Sequence, residues 1–152
     1  MTDQTAGRPT KETLLTLVPS FPIKTFLIDD GWQDVSSTRK LMSLHEWDGM
    51  KAPMNEVVDS LKDKGIEEVG VWLTLQGYWI SIDGSSPLVK KYDCSPYKTA
   101  SRDQSRGGVN VPLRVGEGEQ WLPSPEKAGQ FWFDWFTEMK SWGIGFVKVS
   151  LL

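Results

Sequence analysis

Phe26-Leu27-Ile28-Asp29-Asp30-Gly31-Trp32-Gln33 is an apolar run that ends abruptly in two carboxylates, a glycine and a tryptophan. Its first half reads as a parallel strand covered on both faces, and its second half as the mouth of a site. Ligands in parallel α/β folds gather at the carboxyl ends of strands, where the loops converge. Two acids beside an indole suit a polyhydroxylated ligand, because carboxylates accept hydrogen bonds from hydroxyls and an indole covers the apolar C–H face of a sugar ring. A plain strand followed by a solvated Asp-Asp-Gly turn fits the same residues, so the other strand ends must decide between the two.

Upstream, the first nine residues are polar and read as a flexible N-terminus, leaving one domain over residues 10–152. Thr10 is placed to cap a short helix running to Val18, stopped by Pro19, and Ile23 to Ile28 follows as a strand. Downstream of Gln33 the chain is polar for a stretch until Lys51-Ala52-Pro53, where proline suits the first turn of a helix. Met54, Val57, Val58 and Leu61 have helical spacing, Gly65 suits the position after the helix, and Ile66 to Leu75 reads as a second strand. Strand, helix, strand in this order fits a parallel crossover.

Gln76 to Pro123 lacks sustained periodicity, which marks it as functional, partly disordered, or hiding short strands. The clearest element comes next. Ser124-Pro125-Glu126 reads as a helix start, and Ala128, Phe131, Trp132, Trp135, Phe136, Met139 and Trp142 recur at helical spacing until Gly143. Core packing is the expected use of that stripe. Ile144 to Ser150 then alternates as a third strand.

Composition limits the chemistry. The chain has 152 residues, 39% hydrophobic and 24% charged, with a net charge of −3 that argues against nucleic acid as a partner. A single cysteine, Cys94, and a single histidine, His45, exclude an internal disulfide and a four-cysteine or two-cysteine, two-histidine zinc site. No metal or cofactor is expected, and a Cys94–His45 nucleophile pair has no local support. The opening residues carry neither a signal-like apolar segment nor a membrane span, so a cytoplasmic address without membrane contact is the expectation. Eight tryptophans are many for this length, and Trp32, Trp72, Trp79 and Trp121 fall at strand ends or in loops.

With these strand ends identified, the chain resembles the raffinose synthase and seed imbibition protein family, in the α-galactosidase clan of glycoside hydrolases. The matching pieces are Ile28-Asp29-Asp30-Gly31-Trp32-Gln33, Val71-Trp72 through Gly77-Tyr78-Trp79, Leu122-Pro123-Ser124-Pro125, and Gly143-Ile144-Gly145-Phe146-Val147-Lys148-Val149. The resemblance implies an incomplete (β/α)8 TIM barrel, an α/β fold in which the three strands are the second to fourth of the barrel, with flanking helices. It further implies that Asp29 and Asp30 hold the hydroxyls of a galactose-containing oligosaccharide, that Trp32 and Trp72 line the pocket, and that Lys148 hydrogen-bonds the sugar near the nucleophile. A nucleotide-binding α/β domain is the weaker alternative, because no Gly-x-Gly-x-x-Gly or Walker-type loop follows any strand.

The family's fourth strand ends Lys-x-Asp, the aspartate being the glycosyl nucleophile, whereas this chain has Lys148-Val149-Ser150. A serine hydroxyl without a base is a poor nucleophile at an anomeric carbon. Retaining hydrolysis needs two carboxyl groups roughly 5 to 5.5 Å apart across the reacting bond, and inversion about 6.5 to 9.5 Å. Asp29 and Asp30 are chain neighbours, suited to binding rather than to that division of labour. The family's acid/base strand and first strand find no counterpart, so the chain is expected to be a catalytically dead, truncated barrel, or a carbohydrate-binding remnant. Open strand edges would make it marginal alone. Circular dichroism tests that expectation: a gradual melt with weak near-UV signal is predicted, and a sharp cooperative melt contradicts it.

Overall fold

A computed structural model of the chain describes residues 7–18, 22–98 and 119–150. The elements in chain order are α1 (Lys11–Thr16), β1 (Thr25–Ile28), β2 (Gln33–Val35), β3 (Leu41–Glu46), a 3-10 turn at Asp48–Met50, α2 (Met54–Asp63), β4 (Glu68–Thr74), α3 (Pro87–Lys91), β5 (Ser95–Lys98), β6 (Glu119–Leu122), α4 (Pro125–Ser141) and β7 (Phe146–Ser150). Strands β1, β4 and β7 form a parallel sheet in the order β1-β4-β7, flanked by helices, and β4 is central. These are the three strands expected from hydrophobic pattern, each beginning later than expected. Their leading residues make irregular bonds instead: the Glu67 and Glu68 amides both donate to Lys24 O, and the Gly145 amide donates to Val69 O.

Register fixes what each sheet face carries. Ile28 pairs with Val71 and Val71 with Val147, whereas Trp72 pairs with Lys148 and Thr74 with Ser150. Because side chains alternate along a strand, Ile28, Val69, Val71, Leu73 and Val147 share one face, and Gly70, Trp72, Thr74, Phe146, Lys148 and Ser150 the other. On that second face the Phe146 ring leans over Gly70, and a Cβ at Gly70 would stand within 2.4 Å of the ring. Glycine here lets an aromatic side chain cross the sheet's centre.

Helix ends follow local chemistry. Thr10 and Thr13 form a reciprocal capping box on α1, which stops at Thr16 rather than Val18. Pro53 stands at the N-cap of α2, one position earlier than expected; with no side-chain acceptor there, Glu46 Oε1 from β3 takes the Met54 amide at 3.1 Å. Gly65 and Gly143, both at positive φ, end α2 and α4.

The α4 stripe is core over Phe131, Trp135 and Met139, with Trp142 closing the helix. It is narrower than the pattern implies: Trp132 stacks on Trp135 at 5.7 Å and on Phe136 at 5.4 Å, but Phe136 is exposed. Trp32 is wedged between Trp135 and Trp142, with ring centroids 6.2 and 6.0 Å away.

Two antiparallel strand pairs lie outside the parallel sheet. β2 and β3 pair antiparallel, in the stretch after Gln33 that reads only as polar. No glycine marks its turn: the left-handed position is taken by Arg39, φ 60°, and the Ser36 amide donates to Lys40 O. β5 and β6 also pair antiparallel, so short strands are what the described part of Gln76–Pro123 contains, together with the brief helix α3 capped by Ser86. Residues 99–118 of that stretch lie outside the described residues. Among the described residues no helix is long and apolar enough to cross a membrane.

The Gly70–Phe146 contact gives a stability test. Gly70→Ala should lower the unfolding free energy by about 1–3 kcal/mol through overpacking. Combining it with Phe146→Leu should recover most of the loss in a denaturant titration, and an unchanged midpoint for the single variant would show that the ring is not fixed there.

Candidate functional site

The carboxyl ends of β1, β4 and β7 form one rim. β1 stops at Ile28, so Asp29 lies beyond the last β1 pair and next to Trp72, whose partner in β7 is Lys148. Lys148 Nζ donates to Asp29 Oδ2 at 2.9 Å, although 119 residues separate them in the chain. Both side chains are about half exposed (49% and 55%), and an ion pair so solvated contributes at most about 1 kcal/mol. The pair is open to solvent and adds little to the stability of the fold.

Asp30 is used differently. Since the strand has ended, both carboxylates reach the rim, and the Asp30 amide donates back to Asp29 Oδ1 at 2.9 Å. The Asp30 carboxylate accepts from Tyr78 Oη at 2.7 Å, Trp79 Nε1 at 2.8 Å and Arg39 Nη2 at 3.2 Å. A carboxylate has about four acceptor sites, so three donors from the chain itself leave little capacity. Asp30 thereby gathers the loop after β4 and the tip of the β2–β3 hairpin onto the end of β1.

The turn itself is locked from beneath. Gly31 takes φ +97°, which favours glycine, and a Cβ there would press within 3.2 Å of Pro9 Cδ. Arg8 donates to Gly31 O at 3.0 Å and to Gln33 O, while its guanidinium lies 4.1 Å over the Trp47 ring. Trp47 Nε1 in turn donates to Pro9 O at 3.0 Å. Arg8 and Pro9, assigned by composition to a flexible terminus, are thus fastened under the site.

The two tryptophans expected to line the pocket are not presented to a ligand. Trp32 is 0% exposed and its Nε1 donates to Trp72 O at 2.9 Å, which makes it a core residue. Trp72 is 3% exposed, packed against Tyr78 and Trp79, and its Nε1 donates to Ser150 Oγ at 2.9 Å. Among the described residues no carboxylate or imidazole hydrogen-bonds the Ser150 hydroxyl, so nothing there activates it as a nucleophile. Cys94 and His45 are not paired: the thiol is buried on Leu88 O and pushed up to about 11 mainly by burial, and His45 is exposed and faces Glu138 at 3.5 Å. Among the described residues no cluster of three or more His, Cys, Asp or Glu side chains is arranged to hold a metal ion.

Asp29, Asp30, Trp72, Lys148 and Ser150 are therefore neighbours, and Trp32 lies below them in the core. Sequence reasoning missed Tyr78, Trp79 and Arg39 as partners of Asp30. The aromatic pair after Gly77 is the visible signal for the first two, and nothing in the local sequence points to the third.

Burial, then the hydrogen bond and negative charge of Asp30, push the Tyr78 hydroxyl up to about 12 from the usual 10.0. A raised value means that the fold holds the neutral phenol, so this stabilisation is complete below pH 10.0 and is lost as pH rises through about 12. Burial also raises Tyr92, so the two are separated by their response to Asp30, and tyrosinate absorbance should show the Tyr78 step late. Asp30→Asn should move that step back toward the ordinary value; an unmoved step would show that Asp30 does not act on Tyr78. Compared with known proteins, the chain matches no protein-family model and no curated sequence.

Proposed function

We propose that the chain is a catalytically inactive portion of a (β/α)8 barrel of the raffinose synthase and α-galactosidase type, its three parallel strands corresponding to the second to fourth of the barrel, and that it retains a site for α-galactosyl oligosaccharides. The observation that carries this reading is the Asp29–Lys148 pair, set across Trp72 at the carboxyl ends of three adjacent parallel strands. An acceptor-only carboxylate beside a donor-only ammonium, both open to solvent, can take adjacent hydroxyls of a pyranose in one orientation. Polyols meet such a pair more readily than apolar ligands do, because they replace the water it would otherwise lose.

The same geometry supports the reading of inactivity. Ser150 occupies the position of the missing nucleophile and its oxygen is held by an indole N–H. Asp29 and Asp30 stand side by side at one strand end, and Asp30 is engaged by three donors, so the two suit binding rather than the opposed carboxyl groups that hydrolysis needs. A hydroxyl held by an indole N–H in place of the nucleophilic carboxylate removes the covalent step on which retaining hydrolysis depends.

Calorimetric titration with raffinose tests the binding half. Lys148→Met and Asp29→Asn should each weaken binding about tenfold or more, as expected when a charge-assisted hydrogen bond worth about 1.5–3 kcal/mol is removed. An aryl α-galactoside should give only background release. Absence of any heat with raffinose and galactose would remove the sugar reading, and turnover that survives Ser150→Ala would remove the claim of inactivity.

A further inference from the structure

A pyranose is held by hydroxyl contacts on its edge and by an apolar surface against its C–H face. Asp29 and Lys148 can supply the first, but the two indoles expected to supply the second are 0% and 3% exposed. Trp79 is the indole at this rim that keeps part of its surface in solvent. It is fixed by contacts of unequal strength. Its Nε1 donates to Asp30 Oδ2 at 2.8 Å, and its ring packs on Trp72 with centroids 5.1 Å apart and planes tilted by 37°. The Arg39 guanidinium, in contrast, hovers 5.6 Å over the ring centroid, on a side chain that is 55% exposed at the tip of a hairpin. A hydrated cation at that range, held by a 3.2 Å contact to Asp30 and by its approach to the Tyr78 hydroxyl, sits on the most solvated side chain of this cluster and is the group a ligand displaces most readily.

We infer, on the basis of the sugar site proposed above, that Trp79 is the aromatic platform against which the pyranose C–H face packs, that Arg39 covers this ring in the free protein and competes with the ligand for it, and that Asp30 is a positioning residue that holds the indole rather than a hydroxyl acceptor. Trp79 Nε1 and Arg39 Nη2 share Oδ2 whereas Tyr78 donates to Oδ1, so an amide can keep its oxygen on the indole and turn its N–H toward the tyrosine hydroxyl. Asp30→Ala, which has no acceptor, strips the indole of its anchor and leaves the Asp29–Lys148 pair intact.

Raffinose binding by calorimetry and indole N–H exchange by NMR together test this. Trp79→Leu should weaken binding about threefold to tenfold, and Trp79→Phe, which keeps a flat apolar face, should restore most of it. Arg39→Ala should act in the opposite direction and tighten binding about twofold to fivefold. Without sugar, the indole N–H signal missing in Trp79→Phe should exchange slowly in the wild-type protein and rapidly in Asp30→Ala. If Lys148→Met abolishes binding but Trp79→Leu and Arg39→Ala leave it unchanged, the platform is wrong and the sugar site stands. If wild-type and Arg39→Ala proteins both fail to bind raffinose, the site and the platform fall together. Slow exchange that persists in Asp30→Ala overturns the positioning role.

Discussion

The carbonyl oxygen of Trp72 accepts hydrogen bonds from two side chains, Trp32 Nε1 at 2.9 Å and Gln33 Nε2 at 3.0 Å, and the rim depends on this junction. β1 ends opposite Val71, so the next carbonyl on the central strand lies beyond the last β1 pair. Left buried and unpaired it would cost about 1–3 kcal/mol. The chain satisfies it by turning at Gly31 and folding the next two side chains back under the sheet. That turn brings Asp29 and Asp30 to the sheet end, puts Trp32 into the aromatic core against Trp135 and Trp142, and starts the β2–β3 hairpin at Gln33. Backbone satisfaction and site geometry are here one constraint.

The residues around this junction divide by exposure, and the division sorts structure from chemistry. Trp32 and Gln33 are fully buried, and Arg8 is clamped between the turn and the Trp47 ring, so their interactions belong to folding. Asp29 and Lys148 hold each other in water, where a partner hydroxyl can replace either one at little cost. Asp30 stands between the two regimes: it is partly buried and serves two loops at once, through Tyr78 and Trp79 on one and Arg39 on the other. A carboxylate shared among donors from separate loops makes the loops mutually dependent, because removing one donor weakens the reason for the others to stay. The Tyr78 phenol, held neutral by burial and by that same carboxylate, records the coupling.

Away from the rim, a second charged cluster has a plain structural use. Asp134 on α4 accepts from Tyr92 at 2.7 Å and pairs with Lys91 at 2.8 Å, and these contacts, with Gln130, pull its carboxyl down to about 2. It joins α4 to the end of α3, so the region around the short strands β5 and β6 is tied to the core by a helix surface as well as by the apolar contact of Tyr92 with Phe131.

Sequence alone determined the three parallel strands, the helices α2 and α4 and the stop signals at Gly65 and Gly143, because each rests on periodicity or backbone preference within a dozen or so residues. It also determined which residue types end the strands, and hence that Asp29, Asp30, Lys148 and Ser150 belong to one rim, since parallel order brings strand ends together. The tertiary structure decided the rest. β2 and β3 are too short and too polar to show alternation, and a turn that uses Arg39 in place of glycine leaves no local mark. Whether an indole lines a pocket or fills the core is not a property of its neighbours in the chain: Trp32 went inward because a buried carbonyl on another strand needed a donor, and Phe136 stayed outside although it shares the α4 spacing. Such choices depend on which partners lie across space, 40 residues away for Trp32 and 119 for Asp29, and no window of sequence contains both members.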